Sequence, residues 1–288
     1  MIKKDVGEGS KTLLTISRVL CYIALIFITV LCLFSFYILI VNSTRAHADI
    51  MKGFSFLPGK FFSKNLTALL TDKNIPVVRA LGNSLFISSC VALFTTYFSA
   101  MTAFGIHVYD FKFKKIAFSF IMLVMMVPTQ VSALGFIQLV TKMGMMDSFY
   151  PLIFPSVAAP IVFFYMKQYM ESVLPHEIVE AARIDGSNEF RTFNTVVLPI
   201  IKPALAVQAI FSFVSSWNNY FIPALIINSK AKKTIPILIA QLRSADYMKF
   251  DLGKVYIMIC VAIVPLLIVF VILSKYIIRG VTLGSVKG

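Results

Sequence analysis

Six long apolar runs separated by polar connections set the pattern of this chain: residues 19–41, 83–108, 116–141, 149–166, 204–227 and 255–274. A helix needs roughly 20 apolar residues to cross the hydrocarbon of a bilayer. Helix is the expected form of each run, because lipid offers no partner to a free backbone N–H or C=O. The pattern predicts an all-α membrane protein with six transmembrane helices. Prolines stand in several runs, at Pro128, Pro155, Pro160, Pro223 and Pro265. Each removes a backbone donor and bends its helix, which is tolerated where a neighbour or cavity water serves the freed carbonyl.

Composition supports this reading. Hydrophobic residues make up 58% of the chain and charged residues 14%, against about 25% charged in an average soluble domain. So few charges cannot cover a water-facing surface. The lipid bilayer is the expected partner, and nucleic acid is not. The first run follows Lys3, Lys4, Lys11 and Arg18 and is succeeded by Ala46-His47-Ala48, which has the form of a signal-peptidase site. Its length exceeds the 7–15 apolar residues of a secretory signal, so it is read as a retained first span.

Short loops orient the chain. Lys112, Lys114 and Lys115 crowd the second connection, whereas the third, residues 142–148, holds one lysine. The positive-inside rule then places the N- and C-termini on the cytoplasmic side of the membrane. The long outer loops are also basic, with Arg45, Lys52, Lys60, Lys64, Lys73 and Arg79 in the first and Lys230, Lys232, Lys233, Arg243, Lys249 and Lys254 in the last. They form solvated loops near headgroups or a landing surface for an acidic partner or anionic cargo.

Cys21, Cys32, Cys90 and Cys260 are scattered, and His47, His107 and His176 lack metal-ligand spacing. No metal site, cofactor or catalytic group is expected in this chain. None of the six runs holds Asp, Glu, Lys or Arg in its interior. Ion-driven carriers commonly keep such groups at membrane depth, so the energy for any transport should come from elsewhere. GEGSKT near the start lacks the glycine before lysine and the preceding strand of a phosphate loop. ATP, if used, belongs to another polypeptide.

The charged stretch EIVEAARIDGSNEFRTFNTVVLPIIKP, residues 177–203, interrupts the apolar pattern. Pro175 suits a helix start, Glu177 and Glu180 favour its positive end, and Gly186 can take the left-handed conformation that ends it. A short helix over 176–185 is predicted, with Ile178, Ala181 and Ala182 on one face. Asp185 or Ser187 is expected to cap a second helix running to Val197, which Leu198-Pro199 breaks. The result would be a small-faced protrusion, suited to a protein partner better than to lipid.

Glu180-Ala181-Ala182, Asp185-Gly186, Leu198-Pro199 and Lys202-Pro203 resemble the EAA loop of permease subunits of bacterial ABC importers. RGVTLGSVKG at the C-terminus, SSWNNYFIPAL (215–225), TIPILIAQL (234–242) and Gly82-Asn83-Ser84-Leu85 are similar to the maltose-type G permease. The resemblance implies a type I permease fold with residues 19–278 as the transmembrane domain, 172–203 as its coupling loop, and 1–18 and 279–288 as cytoplasmic ends. It implies a second, F-type permease, a cytoplasmic ATPase dimer that binds ATP and Mg, and an extracellular sugar-binding protein. Glu180, Ala181, Ala182, Asp185, Gly186, Leu198 and Pro199 would couple to the ATPase, with Val286, Lys287 and Gly288 as a tail contact. The cargo implied is a sugar or oligosaccharide; the basic outer loops keep a uronate-bearing oligosaccharide or a non-sugar solute as the alternative. Gln130, Trp217, Asn218, Asn219 and Tyr220 supply the aromatic face and amide donors that sugar recognition uses, or else pack helices.

Overall fold

The computed structural model describes residues 8–244 and 250–285, with no strand among them. In chain order the helices are α1 (Glu8–Ser43), α2 (His47–Met51), α3 (Phe62–Leu70), α4 (Val77–Val108), α5 (Lys114–Met125), α6 (Thr129–Lys142) and α7 (Tyr150–Ile153). They continue with α8 (Pro160–Val173), α9 (His176–Ile184), α10 (Glu189–Thr192), α11 (Leu198–Trp217), α12 (Phe221–Ile226), α13 (Ile235–Arg243) and α14 (Leu252–Ser285). Among the described residues five helical runs are long and apolar enough to span a membrane, and a sixth is α5 with α6, bent by 96°.

The spans are less regular than the apolar runs suggest. The third breaks at Pro128, whose extended backbone caps α6; a residue preceding proline is driven out of the α region. The fourth opens as α7, passes through a 3-10 turn at Phe154–Val157 and resumes at Pro160. Pro160 has no N–H to give the Ser156 carbonyl four residues back. Thr95 of α4 donates to that carbonyl instead, Oγ1 to O at 3.1 Å. Ser99 likewise donates to Ala159 O at 3.3 Å. These hydroxyls explain why an apolar span carries buried Thr95 and Ser99.

The fifth span departs most. One helical run extends from Glu189 to Trp217, so it starts well before residue 204 and stops short of 227. Leu198-Pro199 does not break it. A π-helical turn at Phe193–Val197 lies just ahead, and such a widened turn accommodates a ring that has no donor to offer. Pro203 rides inside α11.

Packing divides the chain into two units, residues 1–69 with 247–260, and 70–246 with 261–288. In the first, residues 15–40 of α1 include no buried residue; Leu20, Ile23 and Phe27 are each more than half exposed. Such a helix keeps its apolar surface from water only in lipid. Beyond α1 the chain is tied by buried polar groups. Arg45 donates to Asn42 Oδ1 and Gly53 O, each at 3.0 Å. Asn65 Nδ2 donates to Ser43 O at 2.9 Å and Arg45 O at 3.0 Å. Arg45 is therefore a buried brace and not part of a basic outer surface.

In the second unit α4 is the spine. Its Ala100, Ala103 and Phe104 pack with Phe163, Met166 and Met170 of α8, Phe193 and Val197 of the π turn, and Ile201 of α11. Small residues on α4 let the neighbouring backbones approach closely, the usual basis of helix association in membranes.

Candidate functional site: the α9 loop and a polar cavity

Leu174, buried and extended, leads from α8 into the loop, and its carbonyl accepts from His107 Nε2 at 3.0 Å. A carbonyl cannot donate, so Nε2 carries the proton. The His107 ring stacks on His176 at the start of α9, centroids 4.8 Å apart. Pro175 is the N-cap of α9.

At the other end, Gly186 has φ +77°. Gly186 N donates to Arg183 O and Ser187 N to Ala182 O, both at 3.0 Å. This is a Schellman closure, which satisfies the last carbonyls of a helix and requires a left-handed residue. It uses Asp185 as C-cap, and the Ser187 hydroxyl accepts from Thr192 Oγ1 at 2.9 Å, so neither residue caps the next helix. That role falls to Asn188, whose Oδ1 accepts from Arg191 N at 2.8 Å. The expectation of an Asp185 or Ser187 cap is corrected accordingly.

The loop is pinned from both sides. Val179, fully buried, joins Leu174 and Phe193 in the core of the second unit. Arg183 Nε donates to Glu189 Oε1 at 2.8 Å and its guanidinium lies 5.5 Å from the Tyr109 ring centre. Ile178, Ala181 and Ala182 do not form one outward face: Ala182 is buried and Ala181 exposed. Exposed on α9 are His176, Glu177, Glu180, Ala181, Arg183 and Ile184. Ile184 is 87% exposed, and Phe190 beyond the turn is 67% exposed. Leu198 packs on the core and Pro199 is exposed. Val286, Lys287 and Gly288 lie outside the described residues.

The residues picked for a solute path separate. Trp217 is 2% exposed and stacks on Phe213 at 5.7 Å; it is a core residue, not a lining one. Asn218 Nδ2 returns to Val214 O at 3.0 Å. Gln130 is exposed in the first turn of α6, and Tyr220 borders a shallow cleft with Gln241. Of the five, Asn219 lines two of the cavities.

The larger of these, about 730 Å³, runs along α11 against α4 and α8. Gln208, Ser212, Ser215 and Asn219 face it, joined by Thr95 and Tyr165, and no charged side chain lines it. The spacing of four and three residues puts Gln208, Ser212 and Ser215 in one polar stripe on one face of α11, and Asn219 follows just past its end. That stripe is legible in the sequence once polar residues, rather than apolar ones, are tested for helical period. The asparagine pair at the helix end is the more conspicuous signal.

At the end of the second unit away from α9, Asp147 takes a left-handed conformation with φ 55°. Its Oδ1 accepts from Asn228 N at 3.0 Å, Ser229 N at 2.9 Å and Ser229 Oγ at 3.1 Å. Lys232 Nζ also donates to the Asp147 carboxylate and carbonyl. Chiefly the Ser229 N–H, with the Asn228 N–H, the Ser229 hydroxyl and Lys232 behind it, holds this carboxyl down at about 2. Its unfolded value is about 3.9. The clamp is therefore at full strength above about pH 4 and is lost as pH falls toward 2. Asp147→Ala is expected to speed amide exchange at Asn228 and Ser229 by about tenfold or more, since a hydrogen bond to a charged group is worth roughly 1.5–3 kcal/mol. Hydrogen–deuterium exchange of the membrane-embedded protein reads this directly.

Residues 92–283 match the family described as binding-protein-dependent transport system inner membrane component. The chain is similar to the arabinooligosaccharides transport system permease protein AraQ of Halalkalibacterium halodurans, 32% identical over 91% of this chain and 94% of that one. It is 29% identical to the trehalose/maltose transport system permease protein MalG of Thermococcus litoralis, over 95% and 98% of the two chains. In fold it is similar to a chain of a bacterial ABC transporter involved in the import of the acidic polysaccharide alginate, TM-score 0.77 and 20% identity over 95% and 99%. The chain belongs to the binding-protein-dependent transport inner membrane component family and, within it, to the maltose-type G permeases of ABC importers.

Proposed function

We propose that this chain forms half of the path of an ATP-driven importer of a neutral sugar or oligosaccharide, with an F-type permease as the other half. An extracellular binding protein delivers the cargo, and α9 docks on one subunit of a cytoplasmic ATPase dimer that binds ATP and Mg. Glu180, Ala181, Asp185 and Gly186 shape the docking tip, Ile184 is its apolar point, and Ala182, Leu198 and Pro199 tie it to α11. The observation that carries this reading is the construction of α9. It is buried through Val179, closed by a Schellman turn, and leaves a large aliphatic side chain bare between carboxylates. Carboxylates at positions 177 and 180 oppose a lipid-lying role near anionic headgroups. Contact of Arg183 with Tyr109 puts the Lys112, Lys114 and Lys115 connection at the same end as α9. The positive-inside rule assigns that end, and both termini, to the cytoplasm.

A neutral cargo is favoured over a uronate because the cavity along α11 has no cation to meet a desolvated carboxylate. Gln208→Leu is expected to weaken sugar binding to the permease–ATPase complex about three- to tenfold, the worth of one or two neutral hydrogen bonds. The test is ATPase stimulation of the complete complex by a panel of glycans and peptides. Stimulation by neutral glycans supports the reading; stimulation by a peptide and by no glycan overturns it.

A further inference from the structure

A second, smaller pocket of about 300 Å³ shares Ser216 and Asn219 with the cavity along α11 and lies where α6, α7 and α12 meet α4. Its size is at the lower end of the range for small-molecule sites. Two hydroxyls in it have no hydrogen-bond partner, Ser88 Oγ and Thr234 Oγ1, on residues 1% and 4% exposed. A helical hydroxyl commonly returns to a carbonyl one turn back, as Thr96 does to Ala92 O at 2.7 Å. Ser88 does not. Burying an unmatched hydroxyl costs stability and calls for an explanation.

Thr234 is held over the pocket by its neighbours. Asn83 Nδ2 donates to Ala231 O at 2.9 Å and Lys233 O at 3.0 Å, and Ile235 N donates to Ser84 Oγ at 2.9 Å. Thr129 and Ser132 add hydroxyls from the first turn of α6, and no charged side chain lines the pocket. We infer that this pocket is a binding subsite for an uncharged, hydroxyl-bearing group, such as one ring of a neutral sugar, with the Ser88 and Thr234 hydroxyls as its recognition groups. The inference rests on the sugar-import reading. It places a cargo-binding site inside this subunit, sharing Ser216 and Asn219 with the main cavity.

The test uses the intact permease–ATPase complex without binding protein, in nanodiscs, with maltotriose and arabinotriose as neutral probes and trigalacturonate as the anion. Ser88→Ala and Thr234→Val are each expected to raise the dissociation constant of a neutral trisaccharide about three- to tenfold. Unliganded thermal stability should stay level or rise, because an unmatched polar group has been removed. Unchanged affinity in both variants, a fall in unliganded stability, or tighter binding of trigalacturonate than of the neutral probes overturns the subsite while the sugar reading stands. Binding of none of the three probes by the wild-type complex overturns both.

Discussion

Ile184→Asp is expected to leave the protein inserted and folded but to cut its association with the ATPase subunit by about a hundredfold or more. Burying a carboxylate without a partner costs roughly 3 kcal/mol or more, and 1.4 kcal/mol is a factor of ten. Folding is spared because Ile184 is 87% exposed and contributes nothing to the core. The anchoring of α9 through Val179 and Leu174 is untouched. Co-purification of the ATPase with the variant permease pair, and uptake in reconstituted vesicles, measure the effect. Ile184→Ala should weaken association more mildly, by about tenfold, as expected for losing most of one buried aliphatic side chain. Normal co-purification of the aspartate variant would mean that this tip touches no protein.

Gly186→Val is expected to damage transport through geometry alone. At φ +77° a residue with a Cβ pays roughly 1–2 kcal/mol, which lowers the ratio of native turn to open loop about 5- to 30-fold. Open space surrounds the position where a Cβ would sit, so the cost is backbone strain and not a clash. The Schellman bonds from Gly186 and Ser187 hold the last turn of α9, and their loss frees the segment that carries Ile184. Uptake should fall by a similar factor with the spans intact. Gly186→Asn, which tolerates the left-handed region, should restore most of it. Failure of asparagine to rescue would show that the strain is not the cause.

Much of this molecule can be read without coordinates. The six spans, the short helix after residue 175 and its glycine stop all follow from local rules, because each depends on residues a few positions apart. Where the reading slipped, a tertiary effect intervened. Pro160 looked like a kink, but only the structure shows Thr95 completing its lost hydrogen bond from α4. Leu198-Pro199 reads as a stop, yet a π turn absorbs it and couples α10 directly to the fifth span. Ala182 and Ile184 share the stretch that drew attention, but which of them faces the core depends on where α4 and α11 place Val179 and Phe193. Trp217 carried the sugar-stacking expectation and is buried on Phe213. The polar stripe of Gln208, Ser212 and Ser215, with Asn219 just past its end, was present in the letters as a helical period of hydroxyls and amides, hidden in a strongly apolar run.

The proposal that this polypeptide is driven through α9 is tested most directly by cross-linking from its tip. In a background with Cys21, Cys32, Cys90 and Cys260 replaced, Ile184→Cys should be joined to a lysine of the ATPase subunit by a short thiol-to-amine cross-linker in native membranes, at a rate that changes when ATP is added. A cysteine at 184 that reacts only with lipid-soluble or external reagents, and links to no second protein under any nucleotide condition, would contradict the account.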